Sequence, residues 1–441
     1  MKTLSLVLLV LCLAAVPVKG DFSEQELIMR GEEVLNLLRE GKYAEIPTYF
    51  NKTLRDQLSP QELQEIWETL PEQVGEFEEV LAIQVMPVQD HKVVVLSCSF
   101  PVMNLDLQLS FDQKGEIAGF FLTPSQYQGE YTPPSYAEQD KFTEEEVEFG
   151  QDPWKLPGKL TLPAGEGPWP VVIIIGGSGP TDADGSLGPN RPYKDMAWGF
   201  GSDGVAAFRF AKRTHVFQQE IAGKEDFTVQ EEYVEDVLAA IAYLQERDEI
   251  DLERIFLAGH SQGGMMLPQI AEKTDIPRGL IFLAAPARAL EDLILEQYNY
   301  LVELEGRNEE MEKQLQKIAA QVEKIKDPDL SPAIPPEELL GIEALYWLDL
   351  REYDQLETVQ KIEIPMLFIQ GGRDYQVTDE DYSLWQKALA NRNDVIFEFF
   401  PELNHIFHTG EGMAVPGEYL QPGYVDSGLL ERIIKWVENV E

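Results

Sequence analysis

The chain is expected to fold as an α/β protein: a mostly parallel, doubly wound sheet preceded by a small α+β domain. Three observations lead there. From Trp154 onward, short apolar segments without alternation recur between helical stretches, as strands do when helices cover both faces of a parallel sheet. Ahead of them lie two amphipathic helical stripes and then a run of strands, the order of an α+β unit. One apolar segment, Ile255 to Ala258, leads directly into Gly259-His260-Ser261-Gln262-Gly263 and a helical stretch, so a strand must reverse into a helix within a few residues.

Residues 1–20 carry Lys2, an apolar run from Leu4 to Val16 and then Pro17-Val18-Lys19-Gly20, the pattern of a cleavable signal peptide cut after Gly20. The run is too short to span a membrane comfortably, and no later segment approaches the roughly 18 apolar residues of a spanning helix. Leu11 before Cys12 argues against a lipid anchor, so no stable membrane attachment is expected. Cleavage would leave Cys98 as the only cysteine; it lies in the apolar run Val93 to Phe100, where a buried structural thiol is expected.

Residues 21–124 make the α+β domain. Ser23 with Glu26, and Ser59 with Glu62, form capping-box patterns that open helices with apolar stripes at Leu27, Val34, Leu35 and Leu38, and at Leu63, Ile66, Trp67 and Leu70. Leu105 to Phe111 alternates strictly, and Asp112 to Gly115 is a hairpin turn signal. Residues 125–150, rich in Pro, Tyr, Glu and Gln and without periodicity, suit an exposed linker. In 151–441 strands are expected at Val171–Ile175, Val205–Phe210, Ile255–Leu257, Leu280–Leu283, Met366–Ile369 and Ile396–Phe399, with a helix from Val229 to Gln245. The rhythm breaks at about 287–355. There Met311, Leu315, Ile318, Val322 and Ile325 mark an amphipathic helix, expected as a helical cap over the carboxyl ends of the strands, with a coiled-coil pairing as the competing reading.

Charge narrows the partners. With 35 Lys plus Arg against 78 Asp plus Glu the formal charge is −43, which repels phosphate backbones and anionic lipid surfaces, so nucleic acid is excluded. Asp182-Ala183-Asp184-Gly185 starts like a calcium loop, but the twelfth position is Tyr193 rather than a bidentate Glu, so no metal is expected. The loop Gly176-Gly177-Ser178-Gly179-Pro180 lacks the Gly-Lys-Ser/Thr of a phosphate cradle.

The Gly-x-Ser-x-Gly segment supplies a chemistry instead. A serine hydroxyl is a poor nucleophile at neutral pH and must be aimed at a base and at oxyanion donors. In an α/β-hydrolase fold the order is Ser, then Asp or Glu, then His, each at a strand end. Ser261 is followed by Asp374, after the segment Met366 to Ile369, and by His405, after Ile396 to Phe399. His408 is the other histidine beyond the acid and reads as a surface residue; Asp379 and Asp381 read as capping or solvated positions. The oxyanion donors expected are the amides of Gln262 and Ser178.

With these residues in place the chain resembles exported bacterial α/β-hydrolases of the EstD esterase type. The resemblance rests on Gly176 to Asp182, Gly188 to Asp195, Gly204 to Thr214, the elbow with Pro268 in its helix, and Gly371 to Val377. It implies Ser261 as nucleophile, Asp374 as acid and His405 as base, a small-molecule acyl ester as substrate, and no cofactor. It also implies that the front domain is a curved-sheet α+β module. Ala211 stands where the family commonly carries an acid, so a carboxylate contact to Lys212 or Arg213 is expected to be missing. A peptidase, an acyl-CoA thioesterase or acyltransferase, and a catalytically silent binding protein on the same scaffold are the competing functions.

Overall fold

The computed structural model describes residues 22–88, 91–101, 104–125, 131–224 and 226–440, so the leader expected at 1–20 lies outside the described residues. The chain divides into two units, with the boundary between Gly129 and Glu130.

In the first unit, strands β1 (Val80–Val88), β2 (His91–Cys98), β3 (Leu105–Phe111) and β4 (Ile117–Pro124) form an antiparallel meander in that order. Helices Glu24–Arg39 and Pro60–Val74 both open on complete capping boxes, Ser23 with Glu26 and Ser59 with Glu62. The stripe Leu27, Val34, Leu35 and Leu38 packs with Val94, Leu96, Leu107 and Leu109 in one core. Gly31 lets the first helix lie close to the sheet, because a Cβ there would stand 3.1 Å from Val94. Cys98 is buried in this core, which pushes its thiol up to about 12 and makes it inert as a nucleophile.

The second unit is built on eight strands: β5 (Phe142–Phe149), β6 (Leu156–Pro163), β7 (Trp169–Ile175), β8 (Ala206–Phe210), β9 (Ile250–His260), β10 (Gly279–Leu283), β11 (Met366–Gly371) and β12 (Val395–Phe400). Their order is β12-β11-β10-β9-β7-β8-β6-β5; β12 through β8 are parallel, and β6 and β5 close the other edge antiparallel. The two faces explain the unalternating strands. In β7, Val171, Ile173 and Ile175 enter one core while Val172 and Ile174 enter the core on the opposite face.

Two expectations are corrected here. Residues 142–149, assigned to an exposed linker, form the edge strand β5, and Tyr131 and Tyr136 bond to Asp195 and to the Val425 carbonyl within the second unit. Phe-Thr-Glu-Glu-Glu-Val-Glu-Phe carries an edge strand's polarity, with only its terminal phenylalanines buried, and so shows little hydrophobic signal. Between β10 and β11 lie helices Leu290–Glu305, Glu309–Ile325 and Ala344–Glu352. The ends of this insertion are tied together: Gln355 Nε2 donates to the carbonyls of Ala287 (2.7 Å) and Arg288 (3.1 Å). Asp381, expected to be solvated or capping, is fully buried, accepting from the Ala287 and Arg288 amides and pairing with the Arg288 guanidinium.

Candidate active site

At the carboxyl end of β9 the chain turns through Ser261, which has φ 51° and ψ −124°. A non-glycine residue held there is strained, and the surroundings enforce it. Ser261 N–H donates to the Leu283 carbonyl (2.8 Å), and its own carbonyl accepts from Gly264 N–H (2.8 Å). A Cβ on Gly259 would run into the Gly263 carbonyl, and one on Gly263 would stand 2.5 Å from the Gly176 carbonyl, so the spacing Gly-x-Ser-x-Gly is a packing requirement. Gly177 is the corresponding requirement across the gap, since a Cβ there would lie 3.1 Å from Ser261 Cβ.

The ends of β11 and β12, beyond β10 in the sheet, bring an acid and a base together. Asp374 follows β11 and is buried; its Oδ1 accepts from the amides of Gln376 (2.8 Å) and Val377 (3.0 Å), while Oδ2 faces His405 Nδ1 at 2.7 Å. His405 is held in a loop after β12 organised by Asn404, whose Oδ1 accepts from the amides of Ile406 and His408. With Nδ1–H directed at a carboxylate, the free nitrogen of the neutral ring is Nε2, the tautomer able to take a proton. His260 secures the elbow to this loop. Its Nε2 donates to the His405 carbonyl (2.9 Å), so Nδ1 of the neutral ring accepts from Tyr193 Oη (3.0 Å), and Tyr193 Oη in turn accepts from Gly177 N–H (3.0 Å). Burial, then the neighbouring His405, lowers His260 to about 3, so it stays neutral in this role. Ser261 Oγ makes no hydrogen bond among the described residues, as is common before substrate draws a catalytic contact tight.

The two expected oxyanion amides lie at the same place. Ser178 and Gln262 line one cavity with Ser261, and neither amide donates a hydrogen bond among the described residues. Behind them sits a group of polar side chains that the sequence reading did not select. Lys212, 2% exposed, reaches the Gly177 carbonyl (2.8 Å), Tyr233 Oη (2.7 Å) and Glu232 (2.8 Å). Arg213 pairs with Asp236. The expectation that Lys212 or Arg213 lacks a carboxylate contact beside Ala211 is therefore corrected: each has one, contributed by Glu232 and Asp236 of a helix further along the chain. That helix begins with a π turn, Gln230–Glu235, which turns Glu232, Tyr233 and Val234 inward together. Burial lowers the Lys212 pKa, and Glu232 opposes the shift.

The cavity holds about 510 Å³. Leu290, Leu293 and Ile294 of the first insertion helix, with Ile342 and Tyr346, line it together with Ser261. Helix Glu309–Ile325, expected to be the cap itself, packs behind, burying Leu315, Val322 and Ile325 without lining the cavity. No group of three or more His, Cys, Asp or Glu among the described residues is arranged to hold a metal; Asp182 instead accepts from the amides of Asp184 and Ser186, and Asp184 pairs with Lys159 and Arg209.

His408 is not the surface residue expected: it is 7% exposed, and burial lowers it to about 4. A histidine whose folded pKa lies below its unfolded value near 6.5 leaves stability unaffected above pH 6.5 and subtracts from it as pH falls, because the unfolded chain then binds the extra proton. Between pH 6.5 and 4 the loss should be on the order of 3 kcal/mol. His408→Gln is expected to flatten this acid slope in urea titrations while keeping near-normal turnover at pH 7; an unchanged slope would contradict the assignment.

A parallel sheet carrying a strained serine at the end of β9 and a bonded histidine–carboxylate pair at the ends of β11 and β12 defines an α/β-hydrolase. The comparisons place it further. Residues 191–411 match the family described as "Serine aminopeptidase, S33". The chain is 36% identical over 385 residues to Esterase EstD of Thermotoga maritima, covering 87% of this chain and 89% of that protein. It therefore belongs to the EstD family of serine hydrolases. Residues 31–120 match a family described as "Protein of unknown function (DUF3887)". Among solved structures, the acylaminoacyl peptidase of Pyrococcus horikoshii superposes with TM-score 0.47 at 14% identity, over 83% of this chain and 51% of that one, so this chain spans about half its length. Est1E from Butyrivibrio proteoclasticus gives TM-score 0.44 at 18% identity, over 67% of this chain and 99% of that one. At that distance they say nothing about substrate.

Proposed function

We propose that the chain hydrolyses carboxylic esters with short acyl chains, through an acyl-enzyme on Ser261. The observation that carries this reading is the 2.7 Å His405–Asp374 contact, beside a serine held at positive φ and two amides without partners among the described residues. His405 Nε2 takes the proton of Ser261 Oγ as the oxygen attacks the ester carbonyl, and the amides of Ser178 and Gln262 bind the oxyanion of the tetrahedral intermediate. Collapse breaks the bond to the alcohol oxygen, which leaves with the proton from His405. Water then gives its proton to His405 and attacks the acyl carbon, and Ser261 departs with that proton. Asp374 holds the imidazole in the receptive tautomer and stabilises its cation. No step calls for a cofactor. The apolar leader supports export, with cleavage after Gly20.

A panel of nitrophenyl esters, peptide anilides and acyl-CoA tests the substrate class; anilide or thioester turnover exceeding ester turnover would replace the ester reading. Within the ester series, acyl and alcohol groups share a cavity of about 510 Å³ whose cap side carries Leu290, Leu293, Ile294 and Ile342 beside the polar Gln297, Glu343 and Tyr346. Leu293→Ala removes a buried wall residue, so the ratio of long-chain to short-chain turnover is expected to rise about tenfold. An unaltered ratio would take the acyl group out of this wall's reach.

A further inference from the structure

We propose that Lys212, assisted by Tyr233, is a positioning residue of the oxyanion site: it fixes and polarises the Gly177–Ser178 peptide so that the Ser178 N–H points at the developing negative charge. The proposal rests on the reading above, in which that amide is an oxyanion donor.

The argument starts from the peptide unit. The Gly177 carbonyl and the Ser178 N–H belong to one planar group, so whatever binds the carbonyl orients the amide and draws electron density away from it. Two donors converge on that carbonyl, Lys212 Nζ at 2.8 Å and Tyr233 Oη at 2.9 Å. The N–H of Gly177 is held separately by Tyr193 Oη at 3.0 Å. A segment with glycines at 176, 177 and 179 would otherwise be among the freest backbone in the fold, and a rotated peptide would present a carbonyl to the oxyanion. The same network reaches the other donor residue. Tyr233 Oη lies 3.2 Å from Gln262 Oε1, Gln262 Nε2 donates to Tyr346 Oη (2.9 Å), and Tyr346 donates to Glu232 (2.6 Å).

Stability alone does not account for a lysine here. Burying an ammonium and a carboxylate costs several kcal/mol per ion, and well-packed apolar residues in place of such a pair are commonly neutral or stabilising. The three protons of Lys212 meet three acceptors: Gly177 O, Tyr233 Oη and Glu232. One of the three is the backbone carbonyl of the donor peptide, a contact that a role in packing does not require.

The test uses the full chain, nitrophenyl butyrate, and an aryl trifluoromethyl ketone, which adds to the serine and forms a stable oxyanion. Lys212→Met/Glu232→Gln removes the ammonium without stranding its counter-charge, and Tyr233→Phe removes one donor to Gly177 and leaves all charges. Arg213→Met/Asp236→Asn removes a neighbouring buried ion pair that does not touch the loop. Deleting an oxyanion donor outright costs roughly a hundred- to a thousandfold in kcat, so loss of its support should cost about ten- to a hundredfold. In the Lys212 pair variant kcat should fall by that factor with KM little changed, and ketone affinity should weaken in parallel. Tyr233→Phe should show a smaller loss of the same kind, and it carries the test if the pair variant does not fold. The Arg213 pair should lose melting temperature but neither kcat nor ketone affinity. Unaltered ketone affinity in folded Lys212 and Tyr233 variants, or an equal kcat loss in the Arg213 pair, overturns the proposal. A wild-type chain that forms no adduct, or an adduct that persists in Ser261→Ala, overturns the serine reading itself.

Discussion

Replacing Ser261 by alanine is expected to lower ester turnover by about a million-fold, the scale seen when a serine nucleophile is removed from an otherwise complete triad. The substitution deletes a single oxygen. The strained turn is held by backbone hydrogen bonds and by glycine packing, none of which involves Oγ, so the fold and its melting temperature should be retained. Alanine is as strained as serine at φ 51°, so the backbone gains nothing that would relax the elbow. The check is twofold: kcat/KM on nitrophenyl butyrate, and intact mass after treatment with an aryl phosphonate. Wild type should gain one phosphonyl group and the alanine variant none. A variant within tenfold of wild type, or one still labelled, would remove Ser261 from the mechanism.

The residues of this proposed chemistry were legible for a local reason. Ser261, Asp374 and His405 each sit where an apolar strand gives way to a loop, and such endings are visible in a few consecutive residues. The supporting group was not. Glu232 is one of 78 acidic residues and follows Gln230 and Glu231; its burial depends on a π turn and on a lysine twenty positions earlier in the chain. Tyr346 arrives from the insertion, more than eighty residues beyond Gln262. Long-range packing of this kind leaves no periodic trace. The same limit explains the misjudged polar residues: nothing local distinguishes a buried Asp381 or His408 from a solvated one, since what buries Asp381 is Arg288 and the start of the insertion. Strand β5 escaped for the opposite reason, because its run of three glutamates reads as solvated and hides the phenylalanines that anchor it, although Glu144 is only 20% exposed and pairs with Arg209.

Asp374 and Asp381 are both buried carboxylates near the end of β11, and they should separate cleanly when each is changed to asparagine. Asp374 Oδ1 accepts from two backbone amides, so an asparagine there must turn its oxygen toward Gln376 and Val377 and its NH₂ toward His405. An NH₂ can only donate to Nδ1, which puts the ring proton on Nε2 and leaves no lone pair to receive the proton of Ser261. That is the wrong tautomer, and kcat should fall by about four orders of magnitude with little change in melting temperature. Asp381 touches no reacting group; it holds the amides of Ala287 and Arg288 and the Arg288 guanidinium where the insertion begins. Asp381→Asn breaks a buried ion pair and should cost about 3 kcal/mol of stability, while the folded fraction keeps near-normal kcat. Thermal melts and single-turnover rates on both variants decide the matter. A catalytic loss at Asp381 that exceeds the loss at Asp374 would move the acid to the other carboxylate.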